Sequence, residues 1–232
     1  MAKVLLALKQ FASSSNPQEK KQAVSALSGI AISGVEQTKA SALGALGSIF
    51  DDFKSAVVRI RSVSNSGQTV VASGIIVTKE GHILTAGYVV SDVGNGDKYT
   101  YSVEMWDGST KTAILQDFNS TDNLAILKIE SGNYRSINLA ANIPPSNTRV
   151  VTIGAISGGP IQPAVGTIRA VSEQFLEIEF DTPGGMAGIA GGPVLNASGE
   201  VVGISYYFKP PLRQSIRSDI AKKYLQSKGI SV

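Results

Sequence analysis

From Ala56 onward, short β-branched segments alternate with groups of turn residues, and this pattern constrains the fold more than any other feature of the sequence. Val70–Thr78 is one such segment, and the turn Lys79-Glu80-Gly81 follows it. Further segments of this kind are Arg149–Ile153, Val165–Val171 and Leu176–Phe180. Many short strands at regular spacing are typical of an antiparallel barrel or sandwich, because each turn brings the chain back beside the strand it has just left.

Residues 1–53 have a different composition, rich in Ala, Ser, Gly and Leu and without strand-like alternation. Asn16 can cap a helix that starts at Pro17, with Glu19 in the capping-box position. A second helical stretch runs to Phe53. The sequence therefore predicts a helical arm, residues 1–53, ahead of a β-domain, residues 54–232. The arm is short of large side chains, so it packs on the neighbouring domain, drives self-association between subunits, or is disordered.

The end of the chain has the features of one further helix. Ser218 can cap a helix that runs from Asp219 to about Ser227, with Lys222 and Lys223 towards its end. Basic side chains are favourable there, because the carboxyl end of a helix carries partial negative charge. We therefore expect a C-terminal helix after the last strand.

Composition excludes several chemistries. The chain has no cysteine and a single histidine, His82. Disulfides, thiolate metal sites and a cysteine nucleophile are thereby excluded, as is any metal site that needs two histidines of one chain. A net charge of +3, from scattered basic residues, gives no field suited to nucleic acid. We expect no cofactor, no metal and no nucleic-acid partner.

The start of the chain bears on where the protein is found. No segment reaches the roughly 18 apolar residues of a membrane span. The apolar run Val4–Leu8 is shorter than the roughly 7–15 residues of a signal-peptide core. These features favour a location in the cytoplasm or within an assembled particle.

Four segments, in order along the chain, resemble the trypsin-like serine proteases and most closely their HtrA/DegP branch. The segments are SGIIVTKEGHILTAGYVV (73–90), DNLAILKI (122–129), GIAGGPVLN followed by GEVVGI (188–204), and IRSDIAKK (216–223). In the family they lead to the catalytic histidine, carry the aspartate, form the nucleophile loop and start the last helix. The resemblance implies a mainly β fold: a trypsin-like double antiparallel β-barrel with a cleft between the barrels, an N-terminal helical segment and a C-terminal helix.

All three catalytic positions of the family carry other residues here. Ala190 stands at the nucleophile position and has no hydroxyl, and Tyr88 stands at the base position, where a phenol with a pKa near 10 is a poor proton acceptor. Asn123 stands at the aspartate position. Asp122 precedes it by one residue and points to the opposite strand face, so it is no simple replacement. We therefore predict a degenerate triad of Tyr88, Asn123 and Ala190.

Several other segments near the family's site can be interpreted either as structural or as functional. An extended chain would place His82 about 20 Å from Tyr88, so we interpret it as a strand-edge residue. The resemblance implies an oxyanion loop at Gly188 and Ala190, whose glycines serve either folding or a vestigial anion-binding hollow. The segment Tyr206–Phe208 borders the family's primary substrate pocket, and it either packs the core or offers a surface to a partner.

The resulting functional hypothesis is a non-catalytic pseudoprotease. Its role would be structural, in assembly or in protein binding, for instance in a viral or phage particle, with self-association through residues 1–53. Two alternatives remain open from the sequence. The chain is a serine endopeptidase inactivated by substitution, or a peptide-binding module that uses the old cleft.

Overall fold

The computed structural model describes residues 48–90, 99–155, 159–181, 187–209 and 212–232. The chain divides into two compact units, Met1–Ala45 and Leu46–Val232, and all the described residues belong to the second unit. The helix expected after Asn16 therefore lies outside the described residues. The second unit begins at Leu46, eight residues before the boundary that composition suggested.

Twelve strands form two closed antiparallel barrels, as the double-barrel expectation required. The first barrel comprises β1 (Val57–Ser64), β2 (Thr69–Ile76), β3 (His82–Ala86), β4 (Tyr99–Glu104), β5 (Thr110–Asn119) and β6 (Leu124–Lys128). The second comprises β7 (Arg149–Ala155), β8 (Ile161–Val171), β9 (Phe175–Phe180), β10 (Pro193–Leu195), β11 (Val201–Lys209) and β12 (Leu212–Arg217). The neighbours run β1-β2-β3-β6-β5-β4 and β10-β11-β12-β9-β8-β7, so the two barrels repeat one arrangement. The helix α1 (Ser218–Ser227) follows the last strand.

Both barrels contribute to one apolar core. Ile75 and Leu84 of the first barrel and Ile153 and Ile204 of the second belong to the same buried cluster, and all four are fully buried. Such side chains stabilise the fold by about 1.5–3 kcal/mol each when water is removed from them. The shared core holds the barrels together, and the cleft between them is therefore a fixed feature of this unit.

The end of the predicted arm packs on the barrels of its own chain. Residues 48–53 are helical and lead into a 3₁₀ turn, Lys54–Ala56. Ile49 is only 5% exposed, and the Phe50 ring meets the Trp106 ring edge-on at 5.8 Å. Phe53 packs so closely on Gly199 that a Cβ at that position would overlap its ring. These three apolar side chains are thus already covered within the chain.

The helix α1 is tied to the first barrel by a polar cluster, the Asp117 clasp. The Tyr224 hydroxyl donates to Asp117 Oδ2 at 2.7 Å, and Lys228 Nζ lies 2.8 Å from Asp117 Oδ1. The hydrogen bond from Lys228 is the main reason why the pKa of Asp117 is lowered, and burial only partly opposes it. Because Asp117 lies on β5, the clasp links the last helix to a strand of the other barrel.

Ser218 does not cap this helix, contrary to expectation. The N-cap residue is Arg217, and no side chain caps the helix. Ser218 is the first helical residue, and its buried Oγ has no hydrogen-bond partner in the described part of the protein. Arg217 instead donates from Nε and Nη2 to the two carboxylate oxygens of Asp219 in the first turn, at 3.0 and 2.8 Å. No described helix is long and apolar enough to cross a membrane.

The Asp117 clasp should contribute a pH-dependent part of the free energy of unfolding. Tyr224→Phe should lower the free energy of unfolding at pH 7 by about 1.5–3 kcal/mol, because it removes a hydrogen bond to a carboxylate. The folded-state pKa of Asp117 is lowered, so its stabilisation is present above the unfolded pKa of about 3.9 and is lost as the pH falls through the folded pKa. The difference between wild type and variant should therefore shrink in acid.

Urea denaturation at pH 7 and at pH 3 measures both effects. Tyr134→Phe is the matched control, because its hydroxyl donates to a neutral backbone carbonyl, that of Glu130, at 3.1 Å. It should cost less at pH 7, about 0.5–1.5 kcal/mol, and the cost should not depend on pH. Equal, pH-independent losses in the two variants would contradict a charge-assisted clasp.

Candidate functional site

Tyr88 lies at the mouth of the cleft, where β3 ends. The strand stops at Ala86, and the 3₁₀ turn Gly87–Val89 turns the chain so that Tyr88 is 37% exposed. Its backbone amide donates to Asn123 Oδ1 at 2.9 Å, and the amide of Gly87 donates to the Asn123 carbonyl at 2.7 Å. Two successive amides thus bind one asparagine, which places the base and aspartate positions side by side.

Asn123 has the left-handed backbone that this arrangement needs. Its φ is +52°, a conformation that asparagine adopts more readily than most residues with a Cβ. It stands just before β6, in which Leu124 pairs with Ala86 of β3. Asp122 faces elsewhere, since its Oδ2 accepts a hydrogen bond from Asn119 Nδ2 at 2.8 Å. The structure therefore sets Asn123, and not Asp122, against Tyr88, but both residues lie in the turn before β6, so opposite strand faces are not the reason.

The Tyr88 side chain packs against the second barrel. Its ring centroid lies 6.0 Å from that of Tyr206, and its hydroxyl lies 3.5 Å from the Tyr206 carbonyl oxygen, at the limit of a hydrogen bond. Burial raises the pKa of the phenol, and the nearby Arg213 only partly opposes this. The hydroxyl therefore stays protonated at neutral pH, and its available role is that of a donor rather than a base.

Arg213 is a site residue that sequence reasoning missed. It is 5% exposed on β12, where its backbone is paired with Phe208 and with Ile178. Burial lowers the pKa of its guanidinium, whereas the interaction with Tyr88 raises it. The available signal was strand alternation, because Arg213 and the buried Ser215 occupy the same face of one strand. A charged residue at an inward-facing strand position is unusual, so this alternation could have identified Arg213 as a site residue.

The loop around Ala190 is held by both barrels. Ala190 is 5% exposed, and its carbonyl accepts a hydrogen bond from the Ser73 amide of β2 at 2.8 Å. The amide of the next residue, Gly191, donates to the Ser205 carbonyl of β11 at 2.7 Å. The loop backbone is thus fixed on both sides of a position whose side chain is a methyl group.

Ser73 fixes the preceding part of the same loop. Its hydroxyl donates to the Gly188 carbonyl at 2.7 Å and accepts the Ala155 amide of β7 at 2.9 Å. Gly188 has a φ of +90°, which a residue with a Cβ adopts only with strain. The carbonyls of Gly188 and Ala190 thus have defined partners, whereas anion binding by their amides stays a prediction.

The three predicted positions surround the end of β3. Tyr88 and Asn123 meet through a direct hydrogen bond. Ala190 approaches through its neighbour Gly191, at which a Cβ would lie 3.1 Å from the Ala86 backbone nitrogen. The structure therefore joins Tyr88 to Asn123 directly and places the loop of Ala190 against the end of β3.

His82 takes no part in this group. It begins β3, at the end of the strand opposite Tyr88, and its backbone pairs with Lys128. Its Nδ1 lies 2.7 Å from Thr78 Oγ1, and burial followed by the charge of Lys128 lowers the pKa of the imidazole. This is the strand-edge environment that the sequence indicated. The described residues contain no group of His, Cys, Asp or Glu side chains that could hold a metal ion.

Three aromatic residues continue from Tyr88 across the second barrel. The rings of Phe175 and Tyr206 stack at 5.9 Å with an interplanar angle of 13°, and Tyr207 lies 6.1 Å beyond Tyr206. Tyr206 is half-buried in this packing, whereas Tyr207 is 56% exposed. The segment therefore combines both interpretations of the sequence, since one tyrosine packs between the barrels and the next offers an open surface.

Comparison with known proteins places this architecture in a family. Residues 72–204 match the trypsin-like peptidase domain, and the chain belongs to that family. Among its relatives is a probable periplasmic serine endoprotease of the DegP-like type from Chlamydia pneumoniae, 29% identical over 62% of this chain and 30% of the relative. The mitochondrial serine protease HTRA2 of Drosophila virilis is 28% identical over 60% of this chain and 36% of its own length.

A solved structure confirms the fold. The crystal structure of a serine endoprotease from Yersinia pestis superposes with a TM-score of 0.69 and 25% identity, over 78% of this chain and 65% of that chain. The aligned region spans only about a third of the length of the two curated relatives. These proteins establish the trypsin-like, HtrA-related scaffold, and their names describe their own activities.

The nucleophile loop gives a sharp test of the backbone geometry. Gly191→Ala should lower the free energy of unfolding by about 3–5 kcal/mol, since the new methyl adds steric overlap to left-handed strain. The φ of Gly191 is +83°, and its Cβ would overlap Ser73 O and Thr85 Oγ1. Gly108→Ala is the matched control, because its φ is +81° with nothing within 4 Å.

The control should cost only the backbone strain, about 1–2 kcal/mol. Chemical denaturation of both variants measures the difference. Similar losses at the two glycines would mean that the loop is free to move away from β2 and β3.

Proposed function

We propose that this chain is a non-catalytic member of the trypsin-like family, a pseudoprotease that acts by protein binding or assembly. The observation that carries the proposal is the environment of Tyr88. A phenol occupies the base position, and burial raises its pKa further above its ordinary value of about 10. General-base catalysis at neutral pH needs a group whose pKa lies near 7.

The other two positions support the same conclusion. Ala190 offers a methyl group where acyl transfer needs a nucleophile with an adjacent base. Asn123 Oδ1 accepts the Tyr88 backbone amide, so it orients the main chain rather than an imidazole ring. In a working triad the carboxylate holds the histidine in its correct tautomer and stabilises the imidazolium. These three positions therefore lack the nucleophile, the base and the orienting carboxylate of a working triad.

The alternative of an endopeptidase inactivated by substitution rests on the family. The relatives are named as serine proteases, and an intact scaffold fits an enzyme whose catalytic residues have been replaced as well as it fits a pseudoprotease. The natural gene sequence at codons 88, 123 and 190 separates the two. Tyrosine, asparagine and alanine codons in the natural gene would favour the pseudoprotease, and histidine, aspartate and serine codons would overturn it.

Single-residue repair provides the enzymatic prediction. Wild-type protein and Ala190→Ser should both fail to cleave unfolded casein, because the restored hydroxyl has no base to activate it. Oxyanion stabilisation alone could leave at most about 10³–10⁴-fold acceleration over water, too slow for an ordinary assay. A fluorophosphonate probe for activated serines should likewise leave Ala190→Ser unlabelled.

The triple variant Tyr88→His, Asn123→Asp, Ala190→Ser is the matched comparison for that assay. It carries all three family groups on the same backbone. Robust casein cleavage by Ala190→Ser alone would overturn the pseudoprotease proposal, because another residue of this chain would then have to act as the base.

Self-association through residues 1–53 is the second part of the proposal. Of its larger apolar residues, Ile49, Phe50 and Phe53 contact the chain's own barrels. Further apolar side chains of the arm include Leu27, Ile30, Leu43 and Leu46. Burying these four against another subunit would contribute roughly 6–12 kcal/mol before ordering entropy is subtracted. Such an association suits a component of an assembled particle, of a virus or phage for instance.

Sedimentation velocity tests the role of the arm. The full chain should sediment as an oligomer, and a variant that begins at Leu46 should sediment as a monomer with an unchanged melting temperature. Truncation at Leu46, rather than at Lys54, keeps the three packed side chains of the helical residues 48–53. Monomeric behaviour of both proteins would remove self-association from the proposed function.

A further inference from the structure

A small cavity lies between the barrels beside the aspartate position. Its volume is about 150 Å³, and Asn123 forms part of its wall. An apolar cavity of about this volume can hold a ligand the size of benzene. The space is therefore large enough for one long side chain of a bound peptide.

One wall of this cavity carries an acid whose charge the chain does not neutralise. Asp122 is half-buried, and its Oδ2 accepts a hydrogen bond from Asn119. Within the described residues no lysine or arginine pairs with Asp122, and none lines the cavity. Asp117, which lies on β5 shortly before the turn that holds Asp122, is by contrast paired with Lys228. Of these two neighbouring carboxylates, the one that faces the cavity lacks its cation.

The remaining walls combine uncharged polar side chains with apolar and aromatic ones. Phe175 and Tyr206 contribute the rings that stack at 5.9 Å, and Ile216 and Ile220 close the inner side. A hydrocarbon stem gains free energy against such surfaces, and an aromatic face attracts a cation that passes over it. A cavity that combines one carboxylate with apolar and aromatic surface, and has no other charged side chain in its lining, is thus the complement of a long basic side chain.

We propose that this cavity binds a lysine side chain of an extended peptide partner. The methylene stem packs on the rings and isoleucines, and the ammonium donates to Asp122 Oδ1. A lysine side chain can make both interactions at once, because its methylene stem packs on apolar surface while its ammonium group stays free to pair with a carboxylate. An acidic side chain would meet a like charge, and a short apolar one would leave the carboxylate unpaired.

Lysine binding at this cavity does not depend on whether the chain has lost catalytic activity. Its charge is supplied by Asp122, which is none of the three catalytic positions, and the proposal holds whether the chain is a pseudoprotease or an inactivated enzyme. Peptide binding is measured without any cleavage, so its result is independent of the casein assay.

Two peptides that differ only in charge provide the test. Ac-Ala-Ala-Lys-Ala-amide and its norleucine counterpart have the same stem, and only the first carries an ammonium. In ¹H–¹⁵N NMR titrations at low salt, the lysine peptide should shift the amides of residues 120–123 and 174–175. It should bind roughly tenfold more tightly than the norleucine peptide, because a charge-assisted hydrogen bond is stronger than a neutral contact.

Asp122→Asn should reduce that preference to less than about twofold, since the amide keeps the shape but not the charge. Asp52→Asn, which removes an exposed carboxylate outside the cavity lining, should leave the tenfold preference unchanged. Ile220→Phe should weaken both peptides alike, because the larger ring fills the space. Equal binding of the two peptides by wild type, a preference that survives Asp122→Asn, or shifts that map elsewhere would each overturn the proposal.

Discussion

The hydroxyl of Ser73 is the contact on which the candidate site depends. It lies in β2 of the first barrel, accepts an amide from β7 of the second barrel and donates to the Gly188 carbonyl of the nucleophile loop. One buried side chain therefore sets the position of both barrels and of the loop between them. Because each of its partners is a backbone group, the arrangement does not require any catalytic side chain. This explains physically how the scaffold of the family persists around Tyr88, Asn123 and Ala190.

Backbone architecture and side-chain chemistry are separable in this protein. The left-handed Gly191 and the hydrogen bond from its amide to Ser205 maintain the turn at the nucleophile position. The left-handed Asn123 accepts amides from two successive residues at the base position. These main-chain hydrogen bonds hold the three segments together whatever side chains stand at positions 88 and 190. Here the Tyr88 ring packs against Tyr206 of the second barrel, and the Asn123 side chain accepts a main-chain hydrogen bond.

Strand alternation alone predicted an antiparallel barrel or sandwich, whereas the double barrel and the three site positions came from the resemblance of four local segments to a known family. Strand alternation and turn residues located β2, β7 and β9 to within two residues at each end. An exception is β8, which begins at Ile161 and passes through Pro163. The sequence gives no local signal for a strand that continues through a proline, since proline lacks a donor for the ladder. Its tolerance here is a matter of tertiary context, because Pro163 pairs with Ile153 of β7.

The features that sequence reasoning missed are contacts between residues far apart in the chain. Burial of Arg213 next to Tyr88 follows from closure of the second barrel against the first, and no local pattern specifies that closure. The packing of Ile49 and Phe53 on the barrels has the same origin, since composition assigned them to the arm. The failed cap at Ser218 arises because Arg217 and Asp219 already pair across the helix start.

The Asp117 clasp also bears on the order in which the chain can mature during synthesis. Domains form from the N-terminus as the polypeptide leaves the ribosome, so the strands of the first barrel are available early. Asp117, however, has its described partners in Tyr224 and Lys228, more than a hundred residues further along the chain. The nascent first barrel thus holds an unneutralised carboxylate until Tyr224 and Lys228 have been made. Completion of the last helix is the step that neutralises it, and a truncated product lacks that step.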